Sequence, residues 1–166
     1  MSEKSNPHRP FNLSFSMNQI IKSLLSDFIT DHQLPSDIEE DIAFEHFATN
    51  LTTGILIDET LNTINCVLGE DGQPGVDSIA TIINGRLVLD SDEIETFIEM
   101  NSYLDIDFVF VQAKTSSSFS TSALGDLADF VDRIFSDGAS SADNEKVKNF
   151  VRLKNFHFSF QNLLFF

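Results

Sequence analysis

Residues 107–114 read DFVFVQAK, a run of Val and Phe that ends in an amide and an ammonium. Val and Phe suit a pleated, buried surface, so the run is expected to be a strand. Alternation at period two puts Phe108, Phe110, Gln112 and Lys114 on one face. Val109, Val111 and Ala113 fall on the other. Both faces begin apolar, so the strand is expected to be covered on both sides. Lysine is almost never buried unpaired, and a buried amide needs partners or water. An acidic group is therefore expected to meet Lys114.

Working outward, strands and helices interleave. Upstream, Val76–Asn84 (VDSIATIIN) reads as a strand, and Asn84-Gly85 as a hairpin turn into Arg86–Leu89. Asn62–Leu68 (NTINCVL) reads as an earlier strand, separated by the Gly-rich turn 69–75 (GEDGQPG). A short helix is expected over about 92–101. Two helices are expected before residue 54. The first opens at a capping box of Ser16 and Gln19 and carries Ile20, Ile21, Leu24, Leu25, Phe28 and Ile29 at helical spacing. Leu34-Pro35 breaks it. The second opens at Ser36 and Glu39 and carries Ile38, Ile42, Ala43, Phe47, Ala48 and Leu51 to about Leu51. Downstream, residues 115–122 read as a Ser/Thr loop, 124–135 as a helix and 137–144 as a linker. Phe156, Phe158 and Phe160 alternate, so 150–160 is expected to be a last strand. This order predicts an α/β fold. Residues 1–15 are expected to be a flexible arm and 16–160 one domain. Residues 161–166 form an apolar tail that would suit a truncation point.

Composition bounds the function. An apolar share of 42% with 22% charged residues argues for a globular chain. A single cysteine, Cys66, permits no internal disulfide. No apolar run reaches the roughly 18 residues of a membrane span, and the first residues lack a signal-peptide core. A cytoplasmic protein without a membrane partner is the expectation. The net charge of −16 repels nucleic acid unless basic groups are concentrated or metal ions intervene. Lys146, Lys148, Arg152 and Lys154 form the one basic cluster. His8, His32, His46 and His157 have no zinc-like spacing with Cys66. Ser116–Ser118 lack a nucleophile-elbow sequence, and no Gly-rich nucleotide loop is present.

Acids for Lys114 are at hand. Asp77 leads an apolar strand straight after the Gly-rich turn. Glu45 lies seven residues after Ile38, close to two helical turns, and so stays on the stripe of the second helix expected to face the core. His46 points about 100° away from Glu45 around the helix and is expected at the surface. Taken singly, Glu45 reads as a solvated helix residue, Asp77 as a turn residue, and Gln112 with Lys114 as an edge-strand device. Together they are more specific: a helix acid, an Asp after Gly-x, and Gln-x-Lys ending an apolar strand.

That arrangement resembles the PD-(D/E)xK nucleases in the Mrr-like variant where Gln replaces the second acid. Gly75-Val76-Asp77, Gln112-Ala113-Lys114 and Glu45 within Phe44-Glu45-His46-Phe47 carry the likeness. Residues 75–89 and 103–119 (YLDIDFVFVQAKTSSSF) further resemble the amino-terminal nuclease domain of abortive-infection phage-resistance (AIPR-type) proteins, over roughly residues 36–136. The resemblance implies a restriction-endonuclease-like fold, with a central mixed sheet of about four to five strands flanked by helices. It implies a metal-dependent endonuclease acting on DNA, with RNA left open, in phage defence. Mg²⁺ or Mn²⁺ would be the cofactor, since hard cations take oxygen ligands and offset charge on a phosphodiester. Asp77 would be the main anionic ligand, Gln112 would offer its amide oxygen, and Ala113 its backbone carbonyl. Glu45 would bind the metal through water or hold a second one. Lys114 would orient the attacking water and stabilise phosphate charge. A homo-oligomer or a missing carboxy-terminal domain would complete the protein. The competing expectations are a catalytically inactive, truncated remnant and an acidic protein-binding domain.

Overall fold

A computed structural model of the chain describes residues 18–69, 73–101, 103–115, 120–136 and 138–163, with 157–163 by backbone alone. The expected arm, Ser16, residues 70–72 of the Gly-rich turn, Ser116–Ser118 and residues 164–166 lie outside them. The elements run α1 (Gln19–Asp31), α2 (Glu40–Thr53), β1 (Ser78–Ile83), β2 (Arg86–Leu87), α3 (Ser91–Met100), β3 (Ile106–Val111), α4 (Thr121–Ser136) and α5 (Glu145–Leu163). Single 3₁₀ turns cover Gly54–Leu56 and Thr63–Asn65. The class is mixed α/β, as the interleaving predicts.

The sheet has order β2-β1-β3 and is antiparallel at both junctions. β1 is its centre, and all six of its residues are buried. The turn into β2 is Asn84-Gly85, both at positive φ (49° and 76°), which matches the right-handed twist of a tight hairpin. β3 aligns Ser78 with Val111 and Ile83 with Ile106. α3 is opened by a capping box of Asp90 and Glu93, which fixes the short connection from β2 into the helix.

Layers cover the sheet on both faces, as the DFVFVQAK run predicts. Phe108 and Phe110 meet Phe130, Phe135 and Phe150 of α4 and α5 edge-on, at 5.1–6.3 Å between ring centres. On the opposite side Val109 packs with Leu61, Cys66 and Ala80. α1 docks on α2 through Leu25, Phe28, Leu34 and Ala43. Only part of the expected α1 stripe is used: Ile20 and Leu24 remain exposed.

Three expectations need correction. The sheet has three antiparallel strands among the described residues, rather than a mixed four or five. The expected strand at 62–68 contracts to one bridge, Val67 with Ser78. The side chain of Asn62 accepts the Ile64 N–H and winds 63–65 into a 3₁₀ turn, a local bond that competes with strand pairing. The expected last strand over 150–160 is helix. Asn144 Oδ1 accepts the Lys146 N–H at 2.8 Å and starts it, and Val147, Phe150 and Val151 recur at helical spacing into the core. The alternating phenylalanines are overridden by this longer period.

Candidate functional site

The site is assembled where the turn before β1 meets the end of β3. Asp77 continues the ladder beyond β1. Its N–H donates to Val111 O at 2.9 Å, and its carbonyl accepts the Leu68 N–H at 2.8 Å. With its backbone held on both sides, its side chain reaches across to β3, where Oδ2 accepts the Ala113 N–H at 2.6 Å. Asp77 and the Gln112-Ala113-Lys114 segment, 35 or more positions apart in the chain, are thereby locked together.

Gly75 sets the approach. Its φ is +85°, and a Cβ built there would lie 2.5 Å from the Asp126 carbonyl oxygen and 2.6 Å from the Leu127 N of α4. Only glycine accommodates both the left-handed backbone and this contact. The turn therefore delivers Asp77 from a path pressed directly against α4.

Glu45 enters from α2, which packs on β1 and β3. It is half-buried. Burial raises its carboxyl to about 7, helped by the negative charges of Asp77 and then Asp41. Asp77 is also raised by burial, against the Ala113 N–H and the Lys114 charge, which pull it down. The two carboxyls are thus close enough to repel. Lys114 itself is exposed, and among the described residues it makes no direct ion pair with Asp77. The acid expected opposite Lys114 acts on it at longer range.

Four buried side-chain oxygens among the described residues have no partner: Glu45 Oε2 and Gln112 Oε1 on these segments, and Thr53 Oγ1 and Thr81 Oγ1. A buried, unpaired acceptor costs free energy comparable to a lost hydrogen bond. Beside a second carboxylate, a divalent cation would suit such oxygens. The donor set of carboxylate, carboxylate and amide oxygen is hard and matches Mg²⁺ or Mn²⁺ rather than zinc. Among the described residues no three His, Cys, Asp or Glu side chains are grouped to hold a metal. The set has only two acids, and Gln112 with the Ala113 carbonyl would complete it.

The raised Glu45 carboxyl fixes a pH dependence. Its folded value of about 7 lies above the ordinary 4.5, so between those values the folded chain holds a proton that the unfolded chain has released. Stability is therefore lost as pH climbs through this window, and the loss levels off above it. In metal-free buffer the melting temperature is expected to fall from pH 5 to pH 8, and to fall less in Glu45→Gln. Parallel profiles for the two proteins would contradict the assignment.

The neighbourhood of Glu45 departs from the expected pattern. The buried face of α2 is Ala43, His46, Thr49 and Thr53, whereas Leu51 of the expected stripe is exposed. His46, expected at the surface, is 8% exposed, and its Nδ1 lies 2.8 Å from Thr63 Oγ1. Burial lowers its pKa, with a further push from the Lys146 charge. It is a neutral structural group that ties α2 to the 63–65 turn. His46 and Thr49 found buried partners there, which hydrophobic periodicity cannot register.

The basic cluster of α5 is divided: Lys146 and Lys154 are used inside the fold, whereas Lys148 and Arg152 bond neighbours on their own helix surface. Lys146 Nζ donates to Ile64 O at 2.6 Å and to Val67 O. Lys154, buried, donates to Ile134 O at 2.7 Å and satisfies the carboxy-terminal end of α4. Lys148 pairs with Glu145, and Arg152 bonds Asn149. Cys66 is buried, and burial raises its thiol to about 11, so it is inert as a nucleophile. No described helix is long and apolar enough to cross a membrane.

No family model, curated protein or solved structure matches the chain.

Proposed function

We propose that the chain is a metal-dependent phosphodiesterase, an endonuclease acting on DNA, whose site is Glu45, Asp77, Gln112, Ala113 and Lys114. The observation that carries this reading is a pair of buried, unpartnered oxygens, Glu45 Oε2 and Gln112 Oε1, the first on a carboxyl raised in part by the Asp77 charge and the second on the residue before Ala113, whose N–H anchors Asp77. Asp77, Glu45, the Gln112 amide and the Ala113 carbonyl would hold Mg²⁺ or Mn²⁺. When bound, the cation supplies charge neutralisation at the phosphate and acidifies water. Lys114, exposed beside these groups, is free to meet a phosphate oxygen and to orient the attacking water. The Ala113 N–H keeps Asp77 turned toward β3. The abortive-infection role and the restriction-endonuclease-like fold belong to the same proposal and rest on the resemblance of residues 36–136.

The net charge of −16 fits this reading if the cation is bound first, because it offsets the repulsion between an acidic chain and a polyanion. Incubating the full chain with supercoiled plasmid and with single-stranded RNA, in Mg²⁺, Mn²⁺ or chelator, tests it. Metal-dependent nicking of the plasmid is the expected result. A folded chain that cleaves neither polymer with either metal would contradict it. Cleavage of RNA alone would keep the chemistry and change the substrate.

A further inference from the structure

The two carboxylates are brought together by different parts of the fold. Asp77 is fixed by the sheet, through Val111, Leu68 and Ala113. Glu45 rides on α2, a helix whose buried face is polar and which could slide against the sheet if only apolar contacts held it. Beside the His46–Thr63 tie to the 63–65 turn, a second cross-link reaches the strand itself. Thr49 Oγ1 lies 2.7 Å from the carbonyl oxygen of Glu45 and 2.8 Å from Ser78 Oγ. Thr49 stands one turn after Glu45, and Ser78 is the residue after Asp77. Both are 1% exposed, so water does not compete for these hydroxyls.

The hydrogens fit in one way. A carbonyl only accepts, so with both contacts made Thr49 donates to Glu45 O and Ser78 donates to Thr49. The result is a two-bond chain from the backbone of Glu45 to the residue adjoining Asp77. The Thr49–Glu45 bond lies within α2, and the Thr49–Ser78 bond is the one of the two that spans the helix carrying one carboxylate and the strand that follows the other.

Resting on the proposed metal site, we infer that Thr49 and Ser78 are positioning residues, whose hydroxyl chain sets the spacing of Glu45 and Asp77 for one divalent cation. Neither hydroxyl touches the cation. Outer-shell groups that orient ligands typically govern metal affinity by about 10–100-fold, and the effect of this pair is expected near the lower end.

Mn²⁺ binding to the full chain, followed by electron paramagnetic resonance well below the melting temperature, tests this without reference to cleavage. Thr49→Val keeps the shape and removes the hydroxyl, and is expected to weaken Mn²⁺ binding by about tenfold. Thr49→Ser restores the hydroxyl and is expected to bind as the unaltered chain does. Ser78→Ala breaks the same chain from the strand side and carries the same expectation as Thr49→Val, so a folding defect in one variant leaves the other decisive. Folded Thr49→Val or Ser78→Ala protein that binds Mn²⁺ normally, even if it melts earlier, would reduce the pair to ordinary packing and overturn the inference. Asp77→Ala separates the two levels. If it loses Mn²⁺ while Thr49→Val does not, only the positioning role fails. If it binds Mn²⁺ as well as the unaltered chain, the metal site itself fails, and the positioning role with it.

Discussion

Asp77→Ala is expected to lower metal-dependent cleavage by about 10³-fold or more, the scale on which groups that stabilise developing charge contribute. The fold should tolerate the change. Alanine leaves the Ala113 N–H, now bonded to Oδ2 at 2.6 Å, without its acceptor, at a cost of about 1–3 kcal/mol. It also removes a carboxyl that burial holds above its ordinary pKa and that repels Glu45. These opposing changes leave a small net shift in melting temperature. Asp77→Asn is the sharper control, because its amide oxygen still accepts from Ala113 while the charge is gone. It too should be inactive. Lys114→Ala, at an exposed position, is expected to keep both the fold and Mn²⁺ binding and to lose cleavage. Single-turnover rates with thermal melts would decide among these, and cleavage by Asp77→Asn at the unaltered rate would remove Asp77 from the site.

The second large effect is on folding. Gly75→Ala places a Cβ 2.5 Å from the Asp126 carbonyl oxygen at a φ of +85°. The obstruction is backbone of α4, which cannot swing aside as a side chain could. Either α4 retreats from the turn or the turn leaves its left-handed conformation. Both displace Val76, which is fully buried, and Asp77 behind it. A destabilisation of about 2–4 kcal/mol is expected, which for a chain of this size lowers the melting temperature by roughly 5–15 °C. Gly125→Ala is the contrast. A Cβ at that position in α4 meets nothing within 4 Å, and alanine favours a helix interior by about 1 kcal/mol over glycine. It should melt slightly higher than the unaltered chain. Equal melting of Gly75→Ala and the unaltered chain would contradict the account of the turn.

How far the sequence predicted these features depended on the kind of signal. Strong local signals held. The Asn84-Gly85 hairpin formed where turn chemistry required it, and the 106–111 strand is covered on both faces as its composition predicts. Gln-x-Lys also fell at the end of that strand, beside the Asp that follows Gly-x. Non-local polar pairing was invisible. Nothing in hydrophobic spacing says that His46 will bond Thr63, or that Thr49 will reach Ser78. Those contacts rotated the buried face of α2 away from Leu51, while Glu45 stayed half-buried among them. The spacing of Glu45 and Thr49, one turn apart, was the available clue. At 150–160 the alternation of three phenylalanines competed with a longer helical repeat that begins at Val147. The longer repeat won because α5 buries Val147, Phe150 and Val151 against the sheet at once.

The central claim is that Glu45, Asp77, Gln112 and the Ala113 carbonyl converge on one divalent cation. Anomalous scattering from crystals of the full chain grown with Mn²⁺ tests it most directly. A single strong peak within ligand distance of Asp77 and the Gln112 amide oxygen, with Glu45 bound directly or through water, is the predicted result. Ordered density for these side chains with no peak among them at saturating Mn²⁺ would contradict it.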